Sequence, residues 1–130
     1  MAAMRAMDEC KKRGEVILVF PSGTRYRPGH PETKRGLREI DSYLRLFDIV
    51  LLVSINGSCL KLRDEDMLND LVGPEKMIFA AHKVIECKSF RNDFLASLPE
   101  DEKDPKQKMI DHVMDLLEEQ HNEMEKIRQA

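Results

Sequence analysis

The sequence has no tryptophan and few other aromatic residues: five phenylalanines and two tyrosines among 130 residues. Its core must therefore be filled mainly by Leu, Ile, Val and the eight methionines. The apolar run at residues 49–53 is far shorter than the roughly 20 residues that a membrane-spanning helix needs. Asp8 and Glu9 stand where a secretory signal peptide would need an apolar segment. These absences argue against an integral membrane protein and against a secreted one.

Cysteine is scarce as well, and the 21 Lys and Arg are slightly outnumbered by 24 Asp and Glu. Cys10, Cys59 and Cys87 are odd in number, widely spaced and without a Cys-x-x-Cys pair. This favours reduced thiols in the cytoplasm, and we expect neither a disulfide scaffold nor a metal site. The net charge is −3, so we expect no nucleic-acid partner. The charge is uneven, however: residues 1–60 carry ten Lys/Arg against seven Asp/Glu, and residues 61–130 carry eleven against seventeen.

The most informative segment of the chain is Val16 to Arg25. Its first five residues are apolar and predict a strand, Val16–Phe20, that is buried on both faces. Pro21 ends the strand and Gly23 permits a tight turn. A hydroxyl and a guanidinium follow directly, a combination that suits a phosphate or a carboxylate at the carboxyl end of a strand. An ordinary strand-to-helix connection with an exposed arginine is the alternative.

The neighbourhood of this turn favours an anion. Six cations lie within a short span, against only three carboxylates, and a turn that points its N–H groups outward adds to their attraction. These cations, called the basic cluster below, are Arg25, Arg27, Lys34, Arg35, Arg38 and Arg45.

Phe20-Pro21-Ser22-Gly23-Thr24-Arg25 resembles the third motif of the glycerolipid acyltransferases, usually Phe-Pro-Glu-Gly-Thr-Arg. Val53-Ser54-Ile55 resembles their fourth motif, Val-Pro-Val or Val-Pro-Ile, and the resemblance covers roughly residues 1–90. It implies that Gly23, Thr24 and Arg25 bind the phosphate of a glycerol-phosphate acceptor. The sequence departs from the pattern at Ser22, which replaces a glutamate, at Tyr26, which replaces a serine, and at Ser54, which replaces a proline.

The family's catalytic motif is a histidine followed five positions later by an aspartate, upstream of the third motif. All four histidines lie downstream of Phe20, and the residues five positions after them are Arg35, Cys87, Leu117 and Lys126. The family's arginine-containing second motif is missing as well. We therefore expect no catalytic residue in this chain, which corresponds to the carboxyl-terminal portion of such a domain.

The predicted fold class is α/β: a small, mainly parallel sheet with flanking helices, which is part of the acyltransferase fold, and a long C-terminal helix. We expect a single domain over residues 1–130, with a core at 14–90, a linker at 97–104 and the C-terminal helix at 105–128. A helix from Met4 to Arg13 ends at Gly14. Thr33 is the expected N-cap of a helix Lys34–Phe47. With the strand Ile49–Ile55 this makes a right-handed crossover that brings Arg25 and residues 54–56 to the same rim.

Further along, Asp64–Leu71 is a short helix candidate, and Met77–Ala81 and Val84–Cys87 are strand candidates, separate or continuous. Asp104, Pro105 and Gln107 predict the start of the C-terminal helix as N-cap, first helical residue and capping-box partner. Its apolar stripe comprises Met109, Val113, Leu116, Leu117, Met124 and Ile127. His112 and His121 lie on opposite sides of this helix and cannot share a metal ion.

The leading hypothesis is the acceptor-phosphate part of an acyltransferase of phospholipid biosynthesis. The complete enzyme would transfer an acyl group from acyl-CoA or acyl carrier protein, with no cofactor, to lysophosphatidate or glycerol 3-phosphate. The candidate phosphate-binding residues are Ser22, Gly23, Thr24, Arg25, Arg27 and Lys34. We expect a cytoplasmic location and leave open a peripheral contact with the inner membrane face and the oligomeric state. The alternative is a non-catalytic module that binds phosphate, anionic lipid or another protein.

Overall fold

The computed structural model describes residues 2–27, 29–61 and 70–130, and it is a mixture of helices and short strands with a long C-terminal helix. The α-helices are α1 (Ala2–Lys12), α2 (Asp41–Leu46), α3 (Cys87–Ser97) and α4 (Pro105–Gln129). Two 3₁₀ helices span Pro31–Lys34 and Arg38–Ile40. The strands are β1 (Ile49–Val50), β2 (Val53–Asn56), β3 (Leu60–Lys61), β4 (Leu71–Val72), β5 (Ile78–Ala81) and β6 (Ile85–Glu86).

The predicted N-terminal helix is confirmed as α1. Gly14 follows its last turn with φ +73°, a left-handed conformation that costs a glycine nothing. The Gly14 amide donates to the carbonyl of Lys11 at 2.9 Å, which closes the helix. The Lys11 ammonium in turn donates to the carbonyl of Leu46 at 2.8 Å and pairs with Asp48 at 2.9 Å. These contacts tie α1 to the segment between α2 and β1.

The prediction of a buried strand over Val16–Phe20 is wrong for the chain as described. The segment belongs to no helix or sheet, and Val16, Leu18 and Phe20 are 97%, 79% and 63% exposed. The physical reason is the lack of a partner: among residues 2–27, 29–61 and 70–130, no backbone hydrogen bond is formed by Val16 through Val19. An apolar sequence favours a strand, but only a neighbouring strand can complete the ladder.

The predicted helix Lys34–Phe47 is also wrong over its first half. Two 3₁₀ helices precede the six-residue α2, and Thr33 lies inside the first of them instead of capping a helix. Gly36 separates the pieces and is buried, because the chain passes close to α4 there. A Cβ at Gly36 would lie 2.4 Å from Ile110 and 2.9 Å from Met114. This close approach requires glycine, and glycine weakens a helix by about 1 kcal/mol relative to alanine.

The sheets differ from the predicted mainly parallel sheet. The described pairs, β1 with β6, β2 with β5, and β3 with β4, are all antiparallel. The longest ladder joins Val53–Asn56 to Ile78–Ala81, and the Leu52 carbonyl extends it by accepting from the amide of His82 at 2.8 Å. The predicted parallel crossover needs a strand at both ends of a helix. Val16–Phe20 supplies no ladder, so the crossover is not formed within the described residues.

The other predicted strand segments each contain a strand in the structure. Ile49–Ile55 forms β1 and β2, interrupted at Leu51 and Leu52, and Met77–Ala81 forms β5. Val84–Cys87 contributes the separate strand β6, with Cys87 beginning α3. Most of the helix predicted at Asp64–Leu71 lies outside the described residues, and its last residue, Leu71, starts β4.

The C-terminal helix is confirmed as α4, which begins where its capping signals predict. Asp104 is the N-cap and accepts from the Gln107 amide at 3.2 Å. The predicted capping box is not closed, because the Gln107 side chain donates instead to the carbonyl of Gly36 and to Asp111. Met109, Ile110 and Val113 of α4 form the centre of the core. Ile127, predicted to belong to the apolar stripe, is 56% exposed.

Helix α3 was not predicted, and it packs against α2 and α4. Glu86 caps it by accepting from the amides of Lys88 and Ser89. The hydrogen bonds hold this carboxyl in its charged form and lower its pKa, those from Ser89 having the largest effect. Phe94 and Phe90 of α3 stack on the ring of His112 in α4 at 4.4 and 5.5 Å between centroids. Helix α3 therefore belongs to the core, through Cys87, Phe90 and Phe94.

Cys10, Cys59 and Cys87 are free thiols, and burial is the main cause that raises the pKa of Cys87. Within residues 2–27, 29–61 and 70–130, no helix combines the length and apolar character needed to cross a membrane.

Candidate anion site at the Phe20–Arg25 turn

The predicted turn after Phe20 is present. The Gly23 amide donates to the carbonyl of Phe20 at 2.9 Å, and Gly23 has φ +65°. A Cβ on Gly23 would lie 2.7 Å from Cδ1 of Leu37, and the Leu37 amide donates to the carbonyl of Pro21 at 2.8 Å. Both the backbone angle and the close neighbour favour glycine, since only glycine adopts this conformation without strain. The turn is thus held against the segment that leads to α2.

Ser22 and Thr24 play different parts in this turn. The Ser22 hydroxyl donates to the carbonyl of Thr24 at 2.7 Å, so its single proton is used within the turn. Thr24 is exposed, and no hydrogen bond to its hydroxyl is formed within the described residues. Ser22 therefore shapes the loop, whereas Thr24 offers its hydroxyl to solvent.

Arg25 lies next to the turn and forms an ion pair with a distant part of the chain. Its Nη2 donates to Oδ2 of Asp70 at 2.7 Å. The Arg25 side chain is 37% exposed, whereas that of Asp70 is 8% exposed. The guanidinium thus presents part of its surface to solvent while a carboxylate from the residue preceding β4 holds one of its nitrogens.

Arg27 and Thr33 organise the loop beyond the motif. The Arg27 amide donates to the Thr33 hydroxyl at 2.9 Å, and that hydroxyl donates to the carbonyl of His30 at 2.7 Å. The His30 amide donates a hydrogen bond to the carbonyl of Arg27 at 2.9 Å. The exposed guanidinium of Arg27 forms no ion pair with the part of the chain that the structure describes. It is accordingly free to meet an anion.

Lys34 is committed elsewhere. Its ammonium pairs with Glu118 of α4 at 3.0 Å and lies 4.8 Å from the ring centroid of Tyr26. The hydrogen bond to Glu118 is the main cause that raises the pKa of Lys34. Lys34 therefore fastens the loop to α4, and a phosphate that contacted it would share the ammonium with this carboxylate.

The rest of the basic cluster is partly neutralised. Arg38 pairs with Asp104 at 3.1 Å, and Arg45 lies 3.5 Å from Asp41. Arg35 is exposed and, like Arg27, forms no ion pair within the described ranges. Of the six cations that the sequence groups together, four are therefore paired with carboxylates: Arg45 with one on its own helix, and Arg25, Lys34 and Arg38 with ones from other segments.

The segment that resembles the fourth motif, Val53–Ile55, lies on β2 and is followed there by Asn56. Ser54 and Asn56 are 5% and 0% exposed because their strand, β2, packs on α4. The Asn56 amide donates to the carbonyl of His121 at 2.8 Å and to Glu125 at 3.0 Å. The Asn56 side chain thus joins β2 to α4, and because Ser54 and Asn56 are both buried, neither forms an open rim.

The histidines lie in different surroundings. His30 Nδ1 lies 3.0 Å from Glu32, but both side chains are more than half exposed. His112 is stacked on phenylalanine rings, and His82 Nδ1 lies 3.2 Å from the carbonyl of Lys83. In the described residues, no group of three His, Cys, Asp or Glu side chains is arranged to hold a metal ion.

A cavity of about 320 Å³ lies elsewhere, between the ends of α1, α2 and α3. Its cations include Lys11, Lys88 and Arg91, and none of the six candidate phosphate-binding residues lines it. Arg91 is engaged with the buried Asp41 at 2.7 Å. Neither this ion pair nor the one between Arg25 and Asp70 can be recognised from local sequence, because 50 and 45 positions separate the partners.

No protein-family model, no curated protein and no solved structure matches this chain. Any assignment of function therefore depends on the residues of the turn and on their chemistry.

Proposed function

We propose that this chain is the acceptor-phosphate-binding part of a glycerolipid acyltransferase domain. The complete enzyme would transfer an acyl group from acyl-CoA or acyl carrier protein to lysophosphatidate or glycerol 3-phosphate. The proposal starts from the resemblance of Phe20–Arg25 to the third motif of that family. A lysophosphatidate acceptor would be met at a membrane surface, so a peripheral contact with the bilayer belongs to the same proposal.

The observation that supports this proposal most directly is the shape of the turn. Gly23, in a left-handed conformation, reverses the chain just before Thr24 and Arg25, which are both exposed. A hydroxyl and a planar guanidinium next to each other match the acceptor oxygens of a phosphate. A charge-assisted hydrogen bond of this kind contributes about 1.5–3 kcal/mol to binding.

Arg27 and Lys34 add charge at longer range. The Arg27 guanidinium has no carboxylate partner in the described ranges, whereas Lys34 is paired with Glu118. We therefore assign Arg27 to the phosphate site together with Thr24 and Arg25, and we give Lys34 a supporting role through the positive potential it adds. Ser22 contributes by holding the turn.

The exposed segment Val16–Phe20 fits the same proposal. An apolar sequence whose backbone lacks a ladder is suited to join further strands, and we propose that it lies within a mainly parallel sheet in the complete enzyme. The catalytic histidine and aspartate would come from outside this chain. The isolated 130 residues should therefore bind the acceptor without transferring an acyl group.

A titration with glycerol 3-phosphate, followed through backbone amide chemical shifts, tests the proposal. We expect saturable shifts at millimolar ligand that concentrate at residues 22–27, and no such response to glycerol. Arg25→Gln should weaken binding about tenfold or more, because about 1.4 kcal/mol corresponds to a factor of ten. Arg5→Gln removes the same charge from an exposed position on α1 and should leave the affinity within about twofold. The absence of any response at millimolar ligand would contradict the proposal.

A second variant separates the shape of the turn from its charge. Gly23→Ala keeps all cations but strains φ +65° and places a methyl group against Leu37. It should weaken glycerol 3-phosphate binding several-fold, since the strain of about 1 kcal/mol at a left-handed residue opposes the bound geometry. Unchanged affinity would show that charge alone attracts the ligand.

A protein-interaction module is the second candidate, and one observation favours it. Val53, Ile55 and Phe79 are 42%, 45% and 67% exposed on β2 and β5, and Ile55 and Phe79 are cross-strand neighbours. Contiguous apolar surfaces of this kind commonly mark sites of association. A chain that ignores glycerol 3-phosphate yet loses association with a partner on Phe79→Ser would support this candidate instead.

A further inference from the structure

Asp70 contacts the candidate phosphate ligand Arg25 directly. Its Oδ2 lies 2.7 Å from Nη2, and this is the only side-chain hydrogen bond that Arg25 donates within the described residues. We propose that Asp70 is a further, affinity-determining residue of the phosphate site, where it competes with the acceptor's phosphate for the Arg25 guanidinium. The inference rests on the proposed function, because it concerns the same site.

The geometry of the guanidinium explains the competition. Two edges of this group can each bind two oxygens at once, one formed by Nε and Nη2 and the other by Nη1 and Nη2. Nη2 belongs to both edges, and it is the nitrogen that Asp70 holds. A phosphate that binds Arg25 bidentately must therefore either share Nη2 with the carboxylate or displace it.

The accessibility of the two partners decides how a ligand can approach. Arg25 keeps 37% of its side chain exposed, whereas Asp70 keeps only 8%. A phosphate can thus reach the open side of the guanidinium while the carboxylate stays behind it. Both anions would then contact one cation, with their charges roughly 6–7 Å apart. Repulsion between a phosphate dianion and a carboxylate at that distance, in a water-like dielectric, lowers the affinity about tenfold at very low salt and about threefold at physiological salt.

The contact also links the turn to a second structural element. Asp70 directly precedes β4, whose two residues, Leu71 and Val72, pair with Lys61 and Leu60 of β3. A ligand that draws Arg25 away from Asp70 would change the surroundings of this small hairpin. Linkage requires the reverse as well: a change that weakens the Asp70 contact must strengthen ligand binding.

The test compares Asp70→Asn with the unaltered chain in titrations with glycerol 3-phosphate. Asparagine keeps the size of the side chain and removes its charge, so we expect binding about three- to tenfold tighter. Asp115→Asn is the matched control, because it removes the same charge from an exposed position on α4 that forms no ion pair within the described ranges. It should change the affinity by less than about twofold.

A second measurement needs no variant and so does not depend on the stability of the hairpin. In the unaltered chain, glycerol 3-phosphate should shift the ¹³Cγ resonance of Asp70 and the amide resonances of Leu71 and Val72, together with those of the turn. A carboxylate that merely braces the loop would keep its resonance position.

The outcomes separate the two proposals. Binding by the unaltered chain with equal or weaker binding by Asp70→Asn, or a ¹³Cγ resonance that does not move, would overturn the role of Asp70 and leave the phosphate site intact. Tighter binding by Asp70→Asn than by Asp115→Asn would support the role of Asp70, even if the unaltered chain binds too weakly to saturate. If none of the three proteins binds, both the phosphate site and the role of Asp70 are refuted.

Discussion

We expect the free energy of unfolding to depend strongly on the ion pair between Asp41 and Arg91. The Asp41 side chain is 1% exposed and accepts from Nε of Arg91 at 2.7 Å and from Nη2 at 3.3 Å. Arg91→Ala would leave a buried carboxylate with a single cation, Arg45, at 3.5 Å. Breaking a buried pair in this way costs 3–5 kcal/mol in general. Because Arg45 remains, we expect the lower end, about 3 kcal/mol.

This loss can be measured by urea unfolding followed by circular dichroism. With a slope of about 1.5 kcal/mol per molar urea, a loss of about 3 kcal/mol moves the midpoint down by about 2 M. Arg45→Ala is the control, since Arg45 is half exposed and farther from the carboxylate. It should cost less than about 1 kcal/mol. The double variant Asp41→Ala/Arg91→Ala should be less destabilised than the sum of its single changes, because it leaves no buried charge unpaired.

The reasoning would be refuted if Arg91→Ala unfolded within about 0.5 M of the unaltered chain, or if the two single changes were additive. Either result would mean that water or another cation compensates Asp41 in solution. An unchanged slope of the transition is also required, because a different slope would indicate a change in the unfolded ensemble instead of the native contact.

Two further predictions concern α4. Ile110→Ala should lower the free energy of unfolding by about 2–5 kcal/mol in the same urea assay, because Ile110 is fully buried. Ile127→Ala, at a 56% exposed position, should lower it by less than about 0.5 kcal/mol. Equal losses would contradict the described packing. The pKa of Glu125 lies well below its usual 4.5 because its carboxylate accepts hydrogen bonds from the Arg128 guanidinium and from the side-chain amides of Asn56 and Gln129. The charged Glu125 therefore stabilises the fold above pH 4.5, and this contribution is lost as the pH falls below 4.5. Glu125→Gln should flatten that acid dependence in unfolding measurements between pH 5 and pH 2, and an identical pH profile would refute the role of this network.

The C-terminal helix and the N-terminal helix show what local sequence can determine. Asp104 and Pro105 mark the start of α4 because the N-cap contact joins residues three positions apart, and Gly14 ends α1 through its own backbone angle. The turn at Gly23 belongs to the same class. In each case the favourable interaction lies within a few residues, so the sequence pattern contains all of the partners.

Val16–Phe20 and Gly36 show where local sequence fails. The apolar segment carries the pattern of a buried strand, yet the pattern cannot supply a neighbour to pair with. From the sequence alone, Gly36 only weakens a predicted helix. In the structure α4 lies against Gly36 and leaves no room for a side chain. Helix α3 was missed because its stacking partner, His112, lies on another element.

Local sequence suffices for the long C-terminal helix and for the turn around Gly23, and it predicts Thr24 and Arg25 as residues that would face an anion. Only the tertiary structure decided that Lys34 is held by Glu118 and that Arg25 is held by Asp70. The physical reason is that a charge pattern along the chain shows where cations are concentrated, whereas the carboxylates that neutralise them arrive from segments 84 and 45 positions away.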